Sequence, residues 1–166
     1  MKLVTLQNKQ ILDEIESKGE YTPNLMYNMM EEYQEMFEQY KKKTNISINA
    51  AIWAWYIFDY ERMGKIPSKS IINNMQNFFY DPNKNLVLLL EVPDSIVMLS
   101  DAYAWASYIS DTDEERIKNP YKWDAVVNWD KGIENVQAIF PKIKKEYIID
   151  LMNIGTDKNE GNVIWK

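Results

Sequence analysis

Apolar positions change period several times along this chain of 166 residues, and each change marks a predicted element. LVTL at 3–6 is short and rich in β-formers, so it predicts a strand. Ile11, Leu12 and Ile15 then share one helical face, with Asn8 as capping residue and Gly19 as the stop. Thr22-Pro23 predicts the start of a long helix, because proline at the first turn loses no hydrogen bond. In that helix Leu25, Met26, Met29, Met30, Tyr33, Met36, Phe37 and Tyr40 recur at spacings of three and four, while Asn28, Glu31, Glu32, Glu35 and Glu38 lie largely elsewhere on the wheel. Its methionines would either fill a core or offer an adaptable face to a partner.

The stretch AIWAWYIFDY at 51–60 is apolar on both faces of a strand, Trp53, Trp55 and Ile57 one way and Ile52, Tyr56 and Phe58 the other. That predicts a central strand. Residues 63–67 read as a loop, and Ser68 or Ser70 caps a helix carrying Ile71, Ile72, Met75, Phe78 and Phe79, ended by Asp81-Pro82. LVLLLEV at 86–92 is a buried strand, Pro93-Asp94 turns the chain, and SIVMLS at 95–100 is a second strand. Asp101 opens a short helix holding Tyr103, Trp105 and Tyr108, and Thr112 to Glu115 fits a capping box. VQAIFPKI at 136–143 and IIDLMNI at 148–154 are strand-like, although one helix from Pro141 over 141–153 is the alternative. The expected fold is a single compact α+β domain over 1–155, a mixed and mostly antiparallel sheet with several helices, followed by a tail at 156–166 that adds an edge strand or frays.

Composition narrows the classes. With 46% hydrophobic and 13% aromatic residues the chain can bury a core without staples, and 27% charged residues suit a soluble surface. No apolar run reaches the roughly 18 residues of a membrane span, and MKLVTLQNKQ is too short in apolar residues for a signal-peptide core, so a cytoplasmic protein is expected. A net charge of −6 argues against nucleic acid, as do Asp59 and Glu61 beside the aromatic strand where a stacking platform would need basic residues. Lys41-Lys42-Lys43 complements the negative end of a helix dipole.

The chain has no cysteine and no histidine, which removes disulfides, thiolate chemistry, the Ser-His-Asp triad and histidine-ligated metals together. Its five glycines form no phosphate-binding motif, and no cofactor or metal is expected. Asp111, Asp113 and Glu114 could ligate a hard cation, but a helix start accounts for them. Glu91 and Asp101, at the ends of two strands, are the acid–base pair easiest to imagine.

VTLQ at 4–7, IWAWY at 52–56, LLLEVP at 88–93, LSD at 99–101 with Ala104-Trp105, and Val136-Gln137-Ala138 occur in an order that resembles the bacterial and phage proteins catalogued as domain of unknown function 3841. The resemblance spans about 1–155 and implies one mixed α+β domain with the tryptophan strand inside and strand, turn, strand over 136–154. Where the family pattern has an aromatic, a histidine and an asparagine, this chain has Ala102, Ala106 and Ser110. Any chemistry those groups perform in the family is lost here. The layout also resembles, by loose analogy, the ADP-ribosyltransferases, whose NAD cleft lies between two small sheets. Their His-Tyr-Glu set is impossible without histidine, and the only arginines, Arg62 and Arg116, lie outside the first strand.

Two functions follow as expectations. The first is a non-catalytic protein-interaction module of a bacterium or phage, in defence or counter-defence, that meets an unidentified protein partner through Glu31, Glu35 and Glu38. The second is a nucleotide- or NAD-type cleft, degenerate as an active site, lined by Thr5, Trp53, Tyr56, Ser100, Asp101 and Gln137, with a small-molecule ligand. Against the second stands the reading that those polar groups are buried and satisfied by neighbouring backbone.

Overall fold

The computed structural model describes residues 1–24, 31–56, 83–121, 136–152, 154–156 and 163–165, with residues 31, 152, 154–156 and 163–165 as backbone alone. Its strands are β1 (Lys2–Asn8), β2 (Glu20–Tyr21), β3 (Ile52–Tyr56), β4 (Asn85–Glu91), β5 (Met98–Asp101), β6 (Val136–Phe140), β7 (Ile143–Lys144), β8 (Ile148–Met152), β9 (Ile154–Thr156) and β10 (Val163–Trp165). The described helices are α1 (Ile11–Lys18), α2 (Glu31–Thr44), α3 (Ala102–Tyr108) and α4 (Asp113–Lys118). Six strands form one sheet in the order β5-β6-β3-β1-β4-β8, every pairing antiparallel. The pairs β2-β7 and β9-β10 are separate ribbons. The chain is a single compact domain of α+β class.

Alternation along the strands divides the interior into two layers. Leu3, Ile52, Ala54, Leu86, Leu88, Leu90, Ala138 and Phe140 point to the side covered by α1, where Ile11 and Ile15 meet them with Val92, Val97, Ile143 and Tyr147. Trp53, Met98 and Ile139 point to the other side, under Met36 and Tyr40 of α2 and Trp105 and Tyr108 of α3. The aromatic strand β3 is third of six, flanked by β6 and β1, and contributes to both layers. That is the reason it is apolar on both faces.

Gly19 stops α1 as expected, with φ of 80° and its N–H on the Ile15 carbonyl. Asn8, expected as the cap of α1, instead ends β1 and accepts the Gln10 N–H at 2.9 Å, so the strand runs on into a side-chain-stabilised turn. Residues 95–100 are not all strand. Asp94–Ile96 form a 3₁₀ turn, and the Tyr40 hydroxyl donates to the Ile96 carbonyl at 2.5 Å, which leaves only Met98–Asp101 for the ladder. Residues 136–152 are strands with turns between them, not a helix from Pro141.

Thr22 and Pro23, expected to start the long helix, lie outside any helix; residues 25–30 fall outside the described residues, and α2 is described from Glu31. The loop at 63–67 and the helix at 68–81 also fall outside them. The lysines 41–43 do occupy the last turn of α2. The tail strand β10 pairs with β9 rather than extending the main sheet. Strands concentrate in one six-stranded sheet, so among the described residues two comparable sheets flanking a cleft are not formed.

Candidate functional site at the junction of three helices

The six residues of the expected cleft do not converge on one face of the sheet. Thr5 and Tyr56 share the α1 side of the sheet by register with Leu3, whereas Trp53, Ser100 and Gln137 lie on the opposite side with Ile139 and Met98. Thr5 is buried, donates its hydroxyl to the Trp53 carbonyl at 2.6 Å and accepts the Gln7 amide at 2.8 Å. Asp101 is committed to α3, whose Tyr103 and Ala104 N–H groups it accepts at 2.9 and 3.0 Å. Ser100 and Gln137 are Cα partners on β5 and β6, and Tyr121 closes over them, donating to the Asp101 carbonyl at 2.9 Å. Ser100 is buried, and Gln137 is 8% exposed, its amide nitrogen without a hydrogen-bond partner among the described residues. A cavity of about 40 Å³ lies against Trp53, and none of the other five residues lines it. Glu91 and Asp101 are not on adjacent strands, since β6, β3 and β1 separate β5 from β4, and Glu91 is paired with Lys2 at 2.8 Å.

A different group converges. The three-and-four spacing of α2 sends Met36 and Tyr40 to the sheet and leaves Glu32 and Glu35 on the flank that faces α3 and α4. The capping box forms as expected, the Thr112 hydroxyl accepting the Glu115 N–H while the Glu115 carboxylate accepts the Thr112 N–H. This orients α4 so that Arg116 reaches back to α2 and pairs with Glu32, which is 7% exposed. Arg116 also holds Asp113 at 2.5 Å and lies 5.9 Å above the ring centre of Tyr108, whose hydroxyl donates to Glu35 at 2.6 Å. Glu32, Glu35, Tyr108, Asp113, Arg116 and Ile117 line an open depression of about 430 Å³. Ile117 stands 81% exposed at its rim.

Three carboxylates and one guanidinium line the depression, a formal charge of −2 with the cation in place. The hydrogen bond that Arg116 donates to Asp113, then the charges of Glu32 and Asp113, push the Arg116 pKa further up and keep it protonated. Of the acidic face expected on α2, Glu35 lies in the depression, Glu38 is exposed a turn further on, and the Glu31 side chain falls outside the description. Glu32, expected on the solvated face, is instead buried, because the ion pair with Arg116 makes that burial tolerable. Sequence reasoning missed Arg116, Tyr108 and Ile117 as members of a site. The available signal was faint: two carboxylates three apart on α2 and an aspartate three before a lone arginine.

Tyr108 joins this site to a cluster of aromatic rings. Trp105 stacks on Trp53 and Tyr108 at 27° to each and meets Tyr33 and Tyr121 edge-on. Burial pushes the hydroxyls of Tyr40, Tyr108 and Tyr121 up to about 12 from the ordinary 10, with the Glu35 carboxylate adding to the rise at Tyr108. A phenol whose folded pKa exceeds its unfolded one stabilises the fold fully below pH 10, and that stability is lost as pH rises through 12. Urea midpoints are therefore expected to hold steady to about pH 9 and to fall between 10 and 12, with a shallower fall in Tyr121→Phe. Equal slopes in the two proteins would show that Tyr121 is not held neutral by burial.

Among the described residues no helix is long and apolar enough to cross a membrane, and no cluster of carboxylates is arranged to hold a metal ion. Comparison with protein-family models, curated proteins and solved structures finds no match to this chain.

Proposed function

We propose that this protein is a non-catalytic interaction module, and that it docks a basic segment of another protein in the acidic depression between α2 and α4. The observation that supports this reading is the convergence of Glu32, Glu35 and Asp113 beside an exposed Ile117. An incoming lysine or arginine would meet Glu35 and Asp113, its aliphatic stem resting on Ile117 and Tyr108, because long cationic side chains lay their methylenes on apolar surface while the head stays polar. Net negative charge over the rest of the chain would speed such an encounter at low salt. The nucleotide-type cleft draws no support from the arrangement of its six residues, which are split between two sheet faces. The likeness to domain of unknown function 3841 rests on its five segments and adds no activity of its own.

A fluorescent peptide of alternating lysine and leucine, titrated against the protein, tests the reading. Glu35→Lys with Asp113→Lys is expected to weaken binding by about tenfold or more at low salt, while Glu146→Lys, an exposed charge on the turn before β8, leaves it within about twofold. Thermal melts confirm that each variant is folded. Equal losses from both changes would reduce the binding to net charge and reject the depression as a docking site.

A further inference from the structure

Residues 110–120 leave the body of the domain between two rings that touch each other. Tyr108 and Tyr121 have ring centres 5.6 Å apart, both pack on Trp105, and Tyr121 donates to the Asp101 carbonyl at 2.9 Å, so the two ends of the segment are pinned side by side. A short segment with its ends together is an Ω-loop. It keeps its shape through local bonds: the capping box closes α4, and the N–H groups of Ser110, Asp111, Arg116 and Asn119 go to the carbonyls of Ser107, Tyr108, Thr112 and Glu115. Asp111 and Arg116 are half-buried, and every other residue of the loop is exposed. Among the described residues, the one ion pair that ties the loop to a distant element is Arg116 with Glu32.

That guanidinium sits as a ligand does, with the buried Glu32 carboxylate against it and its central carbon 5.9 Å from the centre of the Tyr108 ring. A guanidinium is planar, weakly hydrated and stacks on rings, so it enters such a place at lower cost than an ammonium. We infer that Glu32 and the Tyr108 ring form a guanidinium-binding site that Arg116 occupies from within, and that the loop is a latch which yields this site to an arginine of the docked segment. The second half rests on the docking of a basic segment proposed above, whereas the site itself does not. Releasing Arg116 takes no other side chain of the loop out of a buried contact, since the rest are already exposed or, at Asp111, half-exposed. Glu32 left buried without a cation is unfavourable, so the latch opens with a guest at hand. A tethered group competes at an effective concentration on the order of millimolar, so removing Arg116 raises the affinity of the site for a free guanidinium.

Rescue by ethylguanidinium, with ethylammonium at the same concentration as control, tests the site. Arg116→Ala is expected to melt about 1–3 °C higher in roughly 10 mM ethylguanidinium than in ethylammonium, while the parent chain, its site filled, shows no difference between the two. Adding Glu32→Gln to Arg116→Ala should abolish the difference. Where Arg116→Ala is unfolded alone, recovery of its circular dichroism in ethylguanidinium is the corresponding readout. A second arm uses the parent chain and needs no change at Arg116: a peptide of alternating arginine and leucine is expected to bind about threefold or more tightly than its lysine counterpart, and Glu32→Gln to remove that preference. Equal response of Arg116→Ala to the two cations, or a response that survives Glu32→Gln, overturns the site. Equal affinity of the parent chain for the two peptides overturns the latch, and binding of neither peptide alongside a positive rescue rejects the docking reading while the site stands.

Discussion

Trp105→Ala is expected to lower the free energy of unfolding by about 3–5 kcal/mol, the range for truncating a buried aromatic. Trp105 is 5% exposed and meets four other rings, with centroid separations of 6.5 Å to Trp53, 5.8 Å to Tyr33 and Tyr108, and 5.5 Å to Tyr121. No single neighbour can close the void, because Trp53 is fixed in the sheet and Tyr108 is held by its bond to Glu35. The same change removes the ring on which Tyr108, part of the lining of the docking depression, is stacked, so peptide binding should weaken even where the protein remains folded. Urea denaturation followed by circular dichroism measures the first effect, and the fluorescent peptide measures the second. A stability loss under about 1 kcal/mol would mean that the ring cluster is not packed as a unit. Full peptide binding by a folded Trp105→Ala protein would mean that Tyr108 keeps its place without Trp105.

Leu88→Ala should cost about 2–5 kcal/mol for a separate reason. Leu88 is fully buried on β4, opposite Thr5 on β1 and Leu151 on β8, in the layer covered by α1. The cavity opens beneath α1, whose single apolar stripe cannot shift far while Gly19 and the β2-β7 ribbon hold its end through the Lys145 N–H on the Gly19 carbonyl at 2.8 Å. Since the sheet stands between Leu88 and Trp105, the two sites share no side-chain partner among the described residues. Leu88→Ala combined with Trp105→Phe should therefore be additive to within about 0.5 kcal/mol. Coupling above about 1 kcal/mol would show that the layers communicate through β3, the strand common to both.

What was legible before any coordinates concerned neighbours in the chain. Strand alternation in IWAWY named which residues face together, and the structure keeps that division, with Trp53 under α2 and Tyr56 on the α1 side. The capping box at Thr112 and the glycine stop at Gly19 formed because each depends on residues within four positions. Where a long-range contact intervened, local reading failed. Ile96 is a strand-favouring residue, yet it lies in a turn, its carbonyl held by a hydroxyl from Tyr40, 56 positions away.

The expected cleft shows the same boundary more sharply. Its members were chosen for polarity within apolar segments, and that criterion finds buried residues without saying which side of the sheet they occupy relative to one another. Register decides it: Thr5 and Trp53 share a hydrogen bond through the backbone while their side chains point to opposite layers. Conversely, Glu32 and Arg116 carry no mark in sequence, because 84 residues separate two groups that only the docking of α4 on α2 brings into contact.

By itself, then, the amino-acid order determined the class of fold, the two-sided packing of the tryptophan strand, the capping box at Thr112, the stop at Gly19, and the want of imidazole and thiol chemistry, because each rests on local periodicity or on composition. The tertiary structure alone decided strand order, the separation of the six cleft residues and the meeting of Glu32, Glu35, Tyr108, Asp113 and Arg116. Those outcomes depend on which distant elements pack together, and the energy that selects the packing comes from burial summed over whole faces rather than from any one residue's neighbours.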